Sequence, residues 1–253
     1  MKNFFLDISY KGTNYHGSQF QNNAISVMDT FQNAVKSVVK DISFTLKACS
    51  RTDSGVHANS FCISMLCDCG INPEGLKRGL NSFLPDDIAV NICKEVPLDF
   101  HARYSCKGKR YIYKIWNSET KNPFLSDLSL HYKRHIDAEL LNSEAKSFIG
   151  TYDFKAFSGK KCTLEDTIRT IYDCKVARDG DMVIVSVSGD GFLYNMVRII
   201  VGTLLAINEG RRPLGSVKAI IESKNRKNAG ETASPVGLYL DKVFYDESSF
   251  LLK

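Results

Sequence analysis

No long apolar run occurs anywhere in this sequence. The opening stretch MKNFFLDISY is interrupted by Asp7 well short of the apolar core of a signal peptide, and no later run approaches a membrane span. A soluble, cytoplasmic protein is expected. The cysteine spacing of a disulfide framework is also missing. The eight cysteines, at 49, 62, 67, 69, 93, 106, 162 and 174, fall mostly inside apolar, strand-like runs and read as reduced core thiols. Cys67 and Cys69 lie close together, but C-x-C without a second ligand pair is not zinc spacing, so no metal is expected. A phosphate-binding loop is lacking too. Gly189-Asp190-Gly191 has neither the further glycines nor the Lys-Ser/Thr pair of a nucleotide site. There is no internal repeat and no low-complexity segment. Nor is there much excess charge: 33 basic against 28 acidic residues, a net +5, suits a soluble enzyme as well as a nucleic-acid binder.

What is present is enough apolar material for a real core, 43% of 253 residues, in one large domain or two of ordinary size. Residues 4–10 alternate as a strand and end in the turn Lys11-Gly12-Thr13-Asn14. From Val27 to Val39 the apolar side chains recur at helical spacing, with Ser26 placed as the cap. Two strands, 44–49 and 61–67, enclose a polar loop, 50–60. A second helix opens at Asn72-Pro73, turns Leu76, Leu80, Phe83 and Leu84 one way, and stops at Pro85-Asp86. The later part reads as a strand at 111–116, a helix at 137–149 stopped by Gly150, and strands at 168–176 and 182–187. A helix at 192–207, apolar on nearly every side, is followed by a helix at 214–222, a basic loop and a closing strand at 236–245. This predicts an α+β protein of two sheet-based halves, divided near residue 105.

Cations cluster at Arg103, Lys107, Lys109 and Arg110, at Lys133, Arg134 and His135, at Arg211 and Arg212, and at Lys224, Arg226 and Lys227. One such run is an ordinary solvated face; four in a modest chain favour a polyanionic partner. Asp53 sits in a Thr-Asp-Ser-Gly turn, where an Asx turn is the plain reading. Arg198 alters that balance. It is the sole charge on the apolar helix at 192–207, and a buried guanidinium needs a carboxylate, since breaking such a pair costs about 3–5 kcal/mol. Asp53 is a candidate partner; a structural bridge from Arg198 to Asp190 or Glu209 is the alternative. Pairing would keep Asp53 ionised and aimed, as a nucleophilic or general-base carboxylate requires. Residues 100–113 interleave aromatics with cations, a combination suited to bases and phosphates, although Tyr111 and Tyr113 share one strand face and either could be core. His57 either contacts phosphate or finishes the turn by bonding backbone.

RTDSGVHA at 51–58 resembles the catalytic segment of the tRNA pseudouridine synthase A family. So, in order, do YKGTNYHGSQFQ at 10–21, LNSFLPDDIAV at 80–90, FHARYSCKGKRYIYKIWN at 100–117, GTYDFKAF at 150–157, GFLYNMVRIIVGTLL at 191–205 and SPVGLYLDKVFY at 234–245. The resemblance spans essentially the whole chain. It implies an α+β fold of two antiparallel, RRM- or ferredoxin-like halves forming a continuous sheet with helices packed on it around a basic cleft. The first half, 1–105, would carry the catalytic loop, and 106–253 would complete the cleft. It further implies a homodimer that isomerises uridine to pseudouridine on the 3′ side of the tRNA anticodon stem-loop, with no cofactor or metal. By position, Asp53 takes the essential aspartate, Tyr111 the base-stacking tyrosine, Arg198 the aspartate's partner and Leu238 the apolar pocket residue. Arg51 and His57 belong to the RNA-contacting loop, and Lys109 and Arg110 are expected to meet phosphates. Ser18, Ser50 and Phe61 depart from the family's usual tryptophan, glycine and glutamine, so RNA selection can differ; a non-catalytic RNA-binding protein on the same fold is the rival.

Overall fold

The computed structural model describes residues 1–21, 24–159 and 165–246. Cys162 lies outside them. The chain divides into two compact units, Met1–Lys107 with the strand segment that begins at Tyr239, and Gly108–Leu238.

In the first unit β1 (Lys2–Tyr10) is followed by α1 (Val27–Val39), β2 (Phe44–Ala48), β3 (His57–Cys67), α2 (Pro73–Phe83) and β4 (Ile88–Val96). β1 lies between β3 and β4, antiparallel to both; Leu6 faces Ile63 on one side and Cys93 on the other. Phe4, Leu6, Ile8, Phe31, Val35, Ile63, Leu76 and Leu80 form the core. β3 begins four residues before the expected strand, because Asn59 and Ser60 break the apolar pattern. Those residues are a bulge: Ile8 pairs with Phe61 but Tyr10 with Ala58, leaving an extra residue on β3. β4 had no apolar signature strong enough to be predicted. It is an edge strand whose outer half carries Lys94 and Glu95, and only Ile88 and Val90 are buried.

α1 shows why a local sequence makes a helix here. Its first amides have no intrahelical partner. Val27 N–H donates to Gly17 O, Met28 N–H to Ser18 O, and Asp29 N–H to Ser26 Oγ, while Asp29 returns a bond to the Ser26 amide. The capping box closes the first turn on itself, while the Val27 and Met28 amides join the helix start to residues 17–18.

The second unit runs β5 (Gly108–Trp116), β6 (Leu130–His131), α3 (Ala138–Ala145), β7 (Gly150–Asp153), β8 (Ile168–Asp179), β9 (Met182–Gly189), α4 (Met196–Asn208) and α5 (Val217–Ser223). Strands β5, β9, β8 and β7 are antiparallel neighbours in that order, and β6 adds to β5 in parallel. α4 starts four residues later than its apolar pattern predicts. Asn195 adopts a left-handed conformation, φ 61°, which ends the preceding turn and sets the helix axis. A strap, residues 229–237, crosses α4 by backbone contact at Gly202 and Gly230. A Cβ on Gly202 would sit 1.8 Å from Glu231 O. Gly202→Ala is therefore expected to destabilise the protein by at least ~1–3 kcal/mol, seen as a lowered denaturation midpoint; a midpoint equal to the native one would show that the strap yields freely.

The chain then returns to the first unit in β10 (Leu238–Phe244). Tyr239 and Leu240 pair in parallel with His57 and Ala58, so β10 takes the start of β3 while β2 pairs with its far end. The whole is mixed α+β with mainly antiparallel strands. Among the described residues, no helix is long and apolar enough to cross a membrane. All seven described cysteines are free thiols, and five of them are buried. Burial pushes the Cys67 thiol up to about 11 and the Cys93 thiol up to about 12.

Candidate active site

Asp53 lies in the connection from β2 to β3 and is half-buried. Val56 N–H closes a turn on Asp53 O at 3.2 Å, and Gly55 takes the left-handed conformation, φ 76°, that the third position of such a turn demands. This turn rests on residues 10–18. Gly12 approaches so closely that a Cβ would fall 2.0 Å from Val56 O, which only glycine permits. Tyr15 O accepts from Gly55 N–H at 3.2 Å and from Ser54 Oγ at 3.3 Å. Thr52 is held by Ser18 and by the Tyr10 hydroxyl. The loop is thus pinned through backbone atoms on both sides of the aspartate, which is itself half-buried.

His57 does not reach outward. It is 1% exposed, its Nδ1 accepts the Gly12 N–H at 3.0 Å, and its ring stacks on Tyr239 at 4.6 Å. An accepting Nδ1 carries no proton, so the ring is neutral. Of the two readings open from sequence, the backbone bond that finishes the turn is the one seen for this ring. Arg51, by contrast, is exposed.

The second unit carries Tyr111, Arg198, Leu238, Lys109 and Arg110. Tyr111 faces Val187 across β5 and β9 and meets Phe192 edge to face at 5.1 Å. Tyr113, two residues on and on the same face, is fully buried; its hydroxyl donates to Ser234 O at 2.7 Å. Burial raises the Tyr113 pKa and nearby Arg198 opposes that shift. Arg198 is half-buried rather than buried. Its Nε donates to Ala233 O at 2.7 Å and its Nη1 to Asn195 Oδ1 at 2.8 Å, while Ala233 N–H donates back to Arg198 O. The alternative structural partners are engaged elsewhere: Asp190 accepts the Thr170 N–H, and Glu209 bonds Tyr132 and pairs with Arg211 and Arg134. Leu238 is 5% exposed and follows Gly237, which packs on Lys114 O and the Tyr113 ring where a Cβ would not fit. The strap therefore brings Arg198, Tyr113 and the residue before Leu238 together. No signal in a linear pattern of charges or periodicities marks Ala233 and Asn195, which contribute backbone oxygen and a side-chain amide.

The basic clusters divide by their contacts. Arg212 donates to the carbonyls of Asn228 and Lys227, Arg226 to Gly230 O, and Lys224 pairs with Asp153 at 2.9 Å. These cations hold the strap and its neighbours. Arg103, Lys107, Lys133 and His135 are exposed, and Lys109 and Arg110 are half-buried. Among the described residues, no three His, Cys, Asp or Glu side chains are grouped to hold a metal ion.

A family model described as tRNA pseudouridine synthase covers residues 8–105 and 145–246, which include the Asp53 turn, the Arg198 helix and the strap. The chain belongs to the tRNA pseudouridine synthase family. A protein of Acetivibrio thermocellus named tRNA pseudouridine synthase A is 43% identical over 245 residues, spanning 97% of this chain and 100% of its own. Relatives of the same name from Thermoanaerobacter sp. strain X514 and Staphylococcus aureus strain MRSA252 are 42% and 38% identical, each over 97% of this chain and over 100% and 93% of their own. Ser18 and Phe61 are both buried, and Phe61 lies edge to face on Tyr10 at 5.6 Å.

Proposed function

We propose that this protein is a tRNA pseudouridine synthase in which Asp53 carries the chemistry, with a homodimer acting in the cytoplasm on the anticodon stem-loop. It isomerises uridine in tRNA to pseudouridine, and the reaction consumes nothing: the bond from the base nitrogen to the anomeric carbon breaks, the base turns, a ring carbon rejoins the sugar and gives up its proton, and the freed nitrogen takes one up. The observation that carries the reading is the Asp53 turn, a half-exposed carboxylate on a loop whose backbone is pinned on both sides. A stacked uridine is out of reach of such a group, so the nucleotide is flipped into the cleft. Tyr111 then stands in for the lost stacking, Leu238 lines the pocket, and Arg198 keeps Asp53 ionised. Two RRM-like halves in one sheet, the first carrying the loop and the second completing a basic cleft, complete the picture. Mapping pseudouridine by carbodiimide chemistry on unmodified tRNA tests it; no product on any tRNA would favour an RNA-binding protein without catalysis.

β5 refines the expected phosphate contacts. Its ladder with β9 is regular from Lys109 to Trp116, so Lys109 shares the face of Tyr111 and Arg110 points to the other side. Lys109→Ala is expected to weaken tRNA binding and to reduce the slope of log affinity against log salt by about 0.7–0.9. Arg110→Ala leaves that slope unchanged. Filter binding at several salt concentrations decides, and an equal loss of slope in both variants would contradict this choice of face.

A further inference from the structure

We propose that Ser18 and Tyr10 are positioning residues for the isomerisation, acting on Asp53 through Thr52; this rests on the reading of Asp53 as the catalytic carboxylate. Thr52 is 8% exposed, and each of its polar groups is held. Its N–H donates to Ser18 Oγ at 2.8 Å, its carbonyl accepts the Ser18 N–H at 3.1 Å, and its Oγ1 bonds the Tyr10 hydroxyl at 2.7 Å. The Thr52 carbonyl lies in the peptide plane that enters Asp53, and the Asp53 carbonyl, bonded by Val56 N–H at 3.2 Å, lies in the plane that leaves it. With both planes set, the backbone of Asp53 is held on both sides.

The clamp is itself anchored to rigid elements. Gly17 has φ 93°, with its would-be Cβ 2.7 Å from Thr52 O, so the turn that delivers Ser18 requires glycine. Gly17 O and Ser18 O accept the first two amides of α1, tying Ser18 to the helix. Tyr10 sits at the end of β1 with its ring against Phe61, in the wall of the bulge after His57. A hydroxyl at position 18 thereby links a helix start to the peptide before the aspartate. Alanine there strands the buried Thr52 N–H, and the loop must shift or admit water to satisfy it.

Three measurements on Ser18→Ala, Ser18→Thr and Tyr10→Phe test this: single-turnover pseudouridine formation at saturating tRNA, tRNA affinity, and hydrogen exchange of the Thr52 amide. Ser18→Ala is expected to slow the chemical step by ~10–100-fold, the scale of a small misplacement of a reacting group, while tRNA affinity stays within about twofold. Its Thr52 amide should exchange at least ~10-fold faster. Ser18→Thr, which keeps the hydroxyl, should restore both. Tyr10→Phe should slow the step as well, and the double variant with Ser18→Ala should fall short of the product of the two single effects, since both act on one residue. A native chemical step in Ser18→Ala overturns the proposal, as does a loss expressed only as weaker tRNA binding, or one that Ser18→Thr fails to rescue. Activity in Asp53→Asn would instead refute the assignment of Asp53, whatever the Ser18 variants show.

Discussion

Asp53→Asn is expected to abolish pseudouridine formation, with turnover reduced by ~10²–10⁴-fold or more, the range associated with removing a positioned acid or base. Asparagine has the size of aspartate and keeps a side-chain oxygen, so the turn, which is held by backbone bonds at Thr52, Gly55 and Val56, should survive. What it lacks is the negative charge that makes a carboxylate nucleophilic towards carbon and basic towards a proton. Affinity for tRNA should therefore be largely retained. The same product map that tests the function reads this out, together with a binding isotherm for the inactive variant. Full activity in Asp53→Asn would place the chemistry elsewhere.

Arg198 is the second large effect. Its guanidinium is oriented by Ala233 O and Asn195 Oδ1, so its remaining donors point in a set direction. Arg198→Met removes the cation while keeping much of the apolar stem, and turnover should fall by ~10²-fold or more, the expected cost of removing the cation proposed to hold Asp53 ionised. Arg198→Lys should fail nearly as badly. An ammonium is a point charge that cannot satisfy Ala233 O and Asn195 Oδ1 while also presenting a planar fork. Because Arg198 is half-buried, its loss should lower the thermal midpoint less than that of Gly202→Ala. The discriminating measurement is the pH profile of the chemical step. In Arg198→Met the profile should differ from the native one, since the cation proposed to act on the carboxylate is gone. An unchanged profile would detach Arg198 from the acid.

Much of this architecture could be read from residue pattern. α1 was bounded correctly because a cap, a capping-box acid and six buried positions all agree on one helix. α2 announced itself by Asn72-Pro73, whose side chain does accept the Gly75 amide. Elsewhere the pattern misled for identifiable reasons. β3 looked shorter because its bulge residues, Asn59 and Ser60, are polar and bond Asp241 and Asp7. α4 looked longer because Phe192 and Leu193 are apolar, yet they belong to a turn that Asn195 ends. β4 was missed because an edge strand with one wet side carries little periodicity.

The site divides the same way. Asp53 stood out as an acid in a tight polar turn, and Arg198 as a lone charge in an apolar helix, because both violate their local context. Their supporting groups did not stand out. Ser18, Tyr10, Thr52 and Ala233 are ordinary residues whose roles arise from contacts between segments distant in sequence, such as the 34-residue separation of Thr52 from Ser18. His57 shows the reverse: a residue chemically fit for RNA contact is consumed by packing against Tyr239, a strand that arrives from the other end of the chain.

By itself, then, the order of residues determined most of the helices and strands, the family, and the acid on which the chemistry is proposed to turn, since propensity, capping and motif are local properties. Only the tertiary structure decided which cations are occupied by carbonyls, which histidine nitrogen accepts, and which hydroxyls hold the aspartate's loop. Those outcomes depend on close approach of backbone to backbone, as at Gly12 against Val56 and Gly202 against Glu231, and distances of that kind exist only once the chain has folded.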